Sequence, residues 1–186
     1  SEECTPRLML ASRELAKYDQ QLDFLYSSSS ALPSGDKEKL IKLLPDVRKF
    51  DAYGGSEVGA VCYIDYNANR DNTKCVGKAN PGVDIYIVDE HYEPMEATLE
   101  NPGIIAIRSN TVTAGYWREP EMTANAIRDG VIYMTDLGYI ENGYLYLVGR
   151  RDDVINVGGL KIAPTEVEDV ALRHPSVNEC VLIPYE

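Results

Sequence analysis

The spacing of apolar positions changes twice along this chain, and each change marks a different kind of structure. Leu8, Ala11, Leu15 and Tyr18 recur at helical spacing, and the apolar run Leu22 to Tyr26 that follows predicts a buried strand. Ser27 to Ser30 lies between two ordered patterns and predicts a tight loop. Leu40, Ile41, Leu43 and Leu44 then form a second helical stripe, closed by Pro45. From Val58 to Leu147 the spacing shortens to strand-length runs separated by Gly, Pro and Asn: Val61 to Ile64, Val83 to Val88, Ile104 to Arg108, Ile140, and Tyr144 to Val148. One helix interrupts them, with Pro120 at its first position and Met122, Ala126 and Ile127 on one face. After the Gly149 turn, Thr165 and Glu168 have the spacing of a capping box. Val167, Val170 and Ala171 predict a buried stripe on that last helix, which His174-Pro175 ends.

The fold class expected is α+β. Residues up to about 57 read as the end of an α/β layer, and about 58–149 as a small barrel-like or curled β subdomain. A small α+β domain then begins at 154. Thirty acidic against eighteen basic residues give a net charge of −12, which disfavours nucleic acid and anionic lipid as partners. The apolar runs have strand length and predict no membrane span. Cys4, Cys62, Cys75 and Cys180 lie far apart without metal-ligand spacing, so reduced thiols in a cytoplasm are expected.

Three stretches hold residue types suited to nucleotide chemistry. In Tyr53-Gly54-Gly55-Ser56-Glu57 the glycines permit close backbone approach, the hydroxyl suits a phosphate oxygen, and the carboxylate is a hard ligand suited to Mg²⁺. In Ile132 to Gly138, an ionised Asp136 can accept hydrogen bonds with both oxygens; taken alone, an aspartate shortly before a glycine is normally a turn residue. Arg150 offers a fork of donors, although by composition Arg150 to Asp153 is a charged surface turn.

Gly149 to Glu168 resembles the hinge of the AMP-forming adenylating enzymes, the superfamily of acyl-CoA synthetases, firefly luciferase and nonribosomal peptide synthetase adenylation domains. Tyr53 to Glu57 resembles that family's Tyr-Gly-x-Thr-Glu motif, and Ile132 to Gly138 its Tyr-x-Thr-Gly-Asp-Leu motif, with Asp136 at the aspartate and Met134 and Thr135 in place of the usual Thr and Gly. Gly77, Pro81-Gly82, Val88-Asp89 and Pro102 to Thr123 continue the likeness, as turn formers, with Trp117 as a packing residue. The resemblance implies that Tyr53 stacks on adenine, Ser56 touches the α-phosphate and Glu57 holds the metal. It implies that Asp136 clamps the ribose, Arg150 adds donors, and Asp152 is the pivot of a hinge at 151–153. Ser28 and Ser29 stand in a loop that lies along the nucleotide in relatives, and this loop and Ala52 would line one wall of the acyl pocket. Gly158, Gly159 and Lys161 stand in a glycine loop that swings toward the thiol tunnel, where Lys161 would meet a CoA phosphate.

The resemblance therefore implies residues 1–150 as the later part of a large adenylate-forming domain and 154–186 as the start of a small one. The implied parent is an ATP-dependent acid–thiol ligase. It would use Mg²⁺, join a carboxylic acid to AMP with release of pyrophosphate, and pass the acyl group to CoA. An adenylation domain that loads a carrier-protein thiol, and a noncatalytic nucleotide-binding or interaction module, are the alternatives. Neither a Gly-x-x-x-x-Gly-Lys phosphate loop nor the family's downstream lysine occurs in the 186 residues, so the chain by itself is expected to be inactive, the remainder of the parent being missing.

Overall fold

A computed structural model describes residues 9–10, 12, 14–15, 17, 21–28, 32–72, 74–157, 160–174, 176–177 and 179–183. Most of the first expected helix lies outside these residues. Its Leu15 is buried with Leu32, Leu40, Leu44 and Val47.

Strand β1 (Phe24–Ser27) pairs in parallel with β2 (Arg48–Gly55), connected through helix α1 (Ser34–Leu43). This β-α-β unit is the α/β layer. β2 pairs antiparallel with β3 (Gly59–Asp65), which pairs with the short β4 (Lys78–Ala79). A second sheet orders β5 (Val83–Val88), β6 (Gly103–Ser109), β8 (Val131–Glu141) and β7 (Ile127–Arg128), with β9 (Tyr144–Arg150) also paired to β8. Register shifts between Ile104 and Ala106 on β6 and between Leu137 and Gly138 on β8 bend this sheet into a curled half-barrel. The sheets join where Val76 N–H donates to Leu145 O at 2.9 Å and Leu145 N–H donates to Gly77 O at 2.8 Å. Tyr53, Val58, Val61, Cys62 and Val76 meet Ile87, Ile105, Ile107, Ile132 and Leu145 between them as the main core.

Several local expectations change. Phe24 and Tyr26 in β1 are exposed because they lie on the open face of the sheet, where Phe24 meets Phe50, and Phe50 meets Tyr63, in edge-to-face contacts. Helix α2 (Pro120–Ala126) starts at Pro120 as expected but buries no residue, and Ile127 belongs to β7. The capping box does not form, since helix α3 (Pro164–Ala171) begins one residue before Thr165. Thr165 instead donates to Val148 O at 2.8 Å, and Glu168 accepts from Leu182 N–H at 2.8 Å. Val167 and Val170 are exposed, because α3 holds to the body through its polar Asp169 side. Trp117, expected to pack, is 85% exposed. Among the described residues no helix is long and apolar enough to cross a membrane, and Cys62, Cys75 and Cys180 are free thiols.

Candidate functional site

The candidate residues gather where the C-terminal end of β2 meets β8 and β9. On β2 the buried face carries Lys49, Asp51 and Tyr53, so Tyr53 points into the core and is 7% exposed. Its hydroxyl donates to Asp136 Oδ2 at 2.8 Å, which joins the first sheet to the second. Burial, and then the Asp136 charge and this hydrogen bond, push the Tyr53 phenol far above its ordinary range, so it remains a donor. The adenine-stacking role implied for Tyr53 therefore falls on a ring that is here part of the core.

Asp136 lies within β8, not in a turn, opposite Arg150 on β9. Arg150 Nε stands 4.0 Å from Asp136 Oδ1, and its side chain is largely exposed while that of Asp136 is 23% exposed. An exposed pair at this distance adds little stability. Asp136 thus has Tyr53 on one oxygen and Arg150 near the other, and a carboxylate with about four acceptor positions keeps capacity for further donors.

Beyond Tyr53 the chain leaves the barrel core in a turn from Gly55 to Val58, closed by Val58 N–H on Gly55 O at 3.1 Å. Gly54 is dictated by packing: a Cβ there would overlap the Gly59 carbonyl and lie 2.9 Å from Ala60 Cα, at the irregularity in the β2–β3 register. Ser56 is exposed at the turn. Glu57 is half-buried, and a Cβ on Gly55 would meet its Oε2 at 3.0 Å and the Met134 methyl at 3.1 Å. Met134, at the position of the family's Thr, therefore covers the same glycine as the Glu57 carboxylate. Ser28 is exposed just beyond the end of β1, whose last residue pairs with Asp51, so its loop departs from the same sheet edge as the Tyr53 to Glu57 segment.

The structure does not bring every implied residue to this place. Asp152 is exposed in a turn at 151–153, where Arg151 N–H donates to Thr135 O at 2.8 Å. Gly158, Gly159 and Ser29 lie outside the described residues. Lys161 pairs by backbone with Asn156 in the hairpin of β10 (Ile155–Val157) and β11 (Leu160–Ile162), and its side chain also lies outside them. Sequence reasoning missed Tyr116, whose hydroxyl donates to Glu57 Oε1 at 2.9 Å across 59 residues of chain. The Gly115-Tyr116-Trp117 likeness was its only signal.

The model of the family described as AMP-binding enzyme matches residues 4–117. The chain belongs to that family. It is also 32% identical over 176 residues to a long-chain-fatty-acid–CoA ligase of Bacillus subtilis (strain 168), covering 94% of this chain and 31% of the relative. Over 84 residues it is 49% identical to a 2-succinylbenzoate–CoA ligase of Geobacillus kaustophilus, covering 45% of this chain and 17% of the relative. In three dimensions it resembles an anthranilate CoA ligase in complex with anthranoyl-AMP, with a TM-score of 0.85 and 25% identity over 96% of this chain and 34% of the other. The chain thus spans about a third of the length of such relatives. As a member of the AMP-binding family it shows the expected mixed α+β architecture with its curled half-barrel, and the relatives named here are acid–CoA ligases.

Proposed function

We propose that this chain is the nucleotide-binding and hinge portion of an ATP-dependent acid–thiol ligase, which adenylates a carboxylic acid and then transfers the acyl group to CoA. The observation that carries the reading is the convergence of Tyr53, Asp136 and Arg150, from three strands and two sheets, on one carboxylate beside the Glu57 turn. Asp136 accepts from the two ribose hydroxyls, and Tyr53 and the β8–β9 pairing fix its plane before the nucleotide arrives. Arg150, exposed and not committed to a short ion pair, turns its fork to ribose or phosphate oxygens. Ser56 donates to the α-phosphate from its exposed turn.

Among the described residues no cluster of three metal-ligating side chains occurs. A lone Glu57 carboxylate fits Mg²⁺ brought by the nucleotide, because this ion commonly binds one or two carboxylates together with phosphates and waters. Glu57 would hold it, and the ion would supply positive charge against the charge that develops on the phosphate oxygens. Residues 151–153 serve as the hinge and 154–186 as the start of the moving domain, with Asp152 as pivot and the Gly158-Gly159 loop and Lys161 toward CoA.

The 186 residues alone bind AMP but do not turn over, since adenylation relies on cations around the phosphates that this sequence does not provide in a phosphate loop. Calorimetric titration with AMP and a pyrophosphate-exchange assay with a panel of acids test both statements. Absence of AMP binding refutes the site, and robust acid-dependent exchange refutes the inactivity.

A further inference from the structure

We infer that Tyr116 is a positioning residue for Glu57, and that the segment from Ser109 to Trp117 is a clamp which presents that carboxylate to a nucleotide-borne metal ion. The inference rests on the nucleotide site proposed above and extends it to a residue outside the motif that carries Glu57.

Three contacts from this one segment converge on the Gly55–Val58 turn. Thr113 N–H donates to Glu57 O at 2.7 Å, Thr111 Oγ1 donates to Val58 O at 2.7 Å, and Tyr116 donates to Glu57 Oε1 at 2.9 Å. Backbone and side chain of Glu57 are thus held by the same loop. The loop is itself held. Tyr116 N–H donates to Thr123 Oγ1 at 2.9 Å, and that hydroxyl donates to Glu119 O at 2.8 Å. Gly115 adopts φ +143, and a Cβ there would lie 2.6 Å from Thr123 Cγ2, so only glycine seats this turn against α2. Thr123 on α2 therefore aims the phenol, and the phenol aims the carboxylate.

The chemistry of the contact suits a metal-presenting role. A tyrosine phenol is a neutral donor at physiological pH, and this one donates to Glu57 Oε1 rather than competing with it for a cation. It occupies Oε1 and leaves Oε2 over Gly55, on the side of the turn that precedes the exposed Ser56. A glutamate free to rotate must be ordered each time it takes a ligand, at a cost that corresponds to a factor of about 5–30 in binding. Tyr116 removes that cost in advance.

The test uses the whole 186-residue chain and isothermal titration with two probes, AMP in the presence of a chelator and ATP with excess Mg²⁺. Tyr116→Phe keeps the ring and removes only the hydroxyl. It is expected to weaken Mg·ATP binding about tenfold and metal-free AMP binding less than twofold, with the Tyr116→Phe/Glu57→Gln double variant no weaker than Glu57→Gln alone. Thr123→Val, which disturbs the clamp from behind without touching the phenol, should show the same split between probes. Unchanged Mg·ATP affinity in Tyr116→Phe, a parallel loss of AMP affinity, or additive losses in the double variant would each overturn the role of Tyr116. A wild-type chain that binds neither probe would overturn the nucleotide site itself, a result distinct from a wild type that binds AMP and is indifferent to Tyr116.

Discussion

Single side chains between the two sheets are held neutral by burial, and this has a measurable consequence at alkaline pH. Burial pushes the Cys62 thiol from its ordinary value of 9.0 up to about 12, and the Tyr53 phenol is pushed up by burial and by Asp136. The Cys75 thiol is raised as well, again chiefly by burial. Below about pH 9 the folded and unfolded chains both carry these protons, and stability does not depend on the three groups. As pH rises above 9, the unfolded chain loses thiol protons that the folded chain retains, so it binds fewer protons and stability falls with pH. Cys62 contributes to this fall from pH 9 up to about 12, and Tyr53 adds to it above 10. Each group supplies a slope of at most about 1.4 kcal/mol per pH unit. Urea denaturation between pH 8 and 10.5 should show a falling midpoint, and Cys62→Ala should flatten the early part of the fall. An identical slope in that variant would show that the fold does not hold the Cys62 proton.

Strand β2 shows why one element was harder to read than its neighbours. β5 and β6 were legible at once: Val83 to Val88 is the strand observed, and Ile104 to Arg108 lies within Gly103–Ser109, because their apolar residues face the core. In β2 the buried positions are Lys49, Asp51 and Tyr53, so hydropathy runs against the true inward face. Each buried polar group has a partner that sequence spacing does not disclose. Lys49 Nζ donates to the carbonyls of Leu44 and Val47 and to Asn67 Oδ1. Asp51 takes Lys37 Nζ from α1 at 2.6 Å and Ser27 Oγ from β1 at 3.0 Å. The motif residues Tyr53, Glu57 and Asp136 could be singled out by their chemistry, but the Tyr53 to Asp136 contact and the Tyr116 to Glu57 contact are long-range, and only the fold creates them. The Lys37 to Asp51 pair also makes a prediction for this layer. Both side chains are almost wholly buried, so Asp51→Ala leaves a buried ammonium unpaired and should cost about 3–5 kcal/mol. Lys37→Met combined with Asp51→Leu removes both charges and should cost clearly less than the sum of the single changes. Additive losses in urea denaturation would show that the two side chains act separately.

Across the whole molecule, the segment after the proposed hinge returns to the body through Val154, packed against the cluster of Val88, Ile104 and Leu137, through the buried Ala163, and farther on through polar contacts. Arg150 O accepts from Asp153 N–H at 3.1 Å and from Val154 N–H at 3.2 Å, which turns the chain away from β9. Helix α3 then meets the start of α1, 135 residues earlier in sequence. Asp169 accepts from Ser34 N–H at 3.2 Å and from Ser34 Oγ at 2.8 Å, so a carboxylate from one end of the chain caps a helix near the other. Arg173 adds a donor to both Ser34 Oγ and Asp169, at 3.1 and 3.3 Å. The exposed Val167 and Val170 add no apolar anchor to this contact. The contact between α3 and α1 is polar, and its opening would accompany the rotation proposed about 151–153. Replacing a helix-capping carboxylate by alanine costs about 0.5–2 kcal/mol, and a loss of 1–2 kcal/mol changes the ratio of closed to open states by a factor of about 5–30. Asp169→Ala should therefore speed limited trypsin cleavage after Arg150 or Arg151 several-fold, followed by mass spectrometry of the fragments. Cleavage from β2 through β9, before Arg150, should not accelerate, because those strands do not depend on the contact, whereas helix α1, which Asp169 caps, is left out of the comparison. Equal rates in the two proteins would show that Asp169 does not hold the segment, and acceleration at every site would show instead that it supports the fold as a whole.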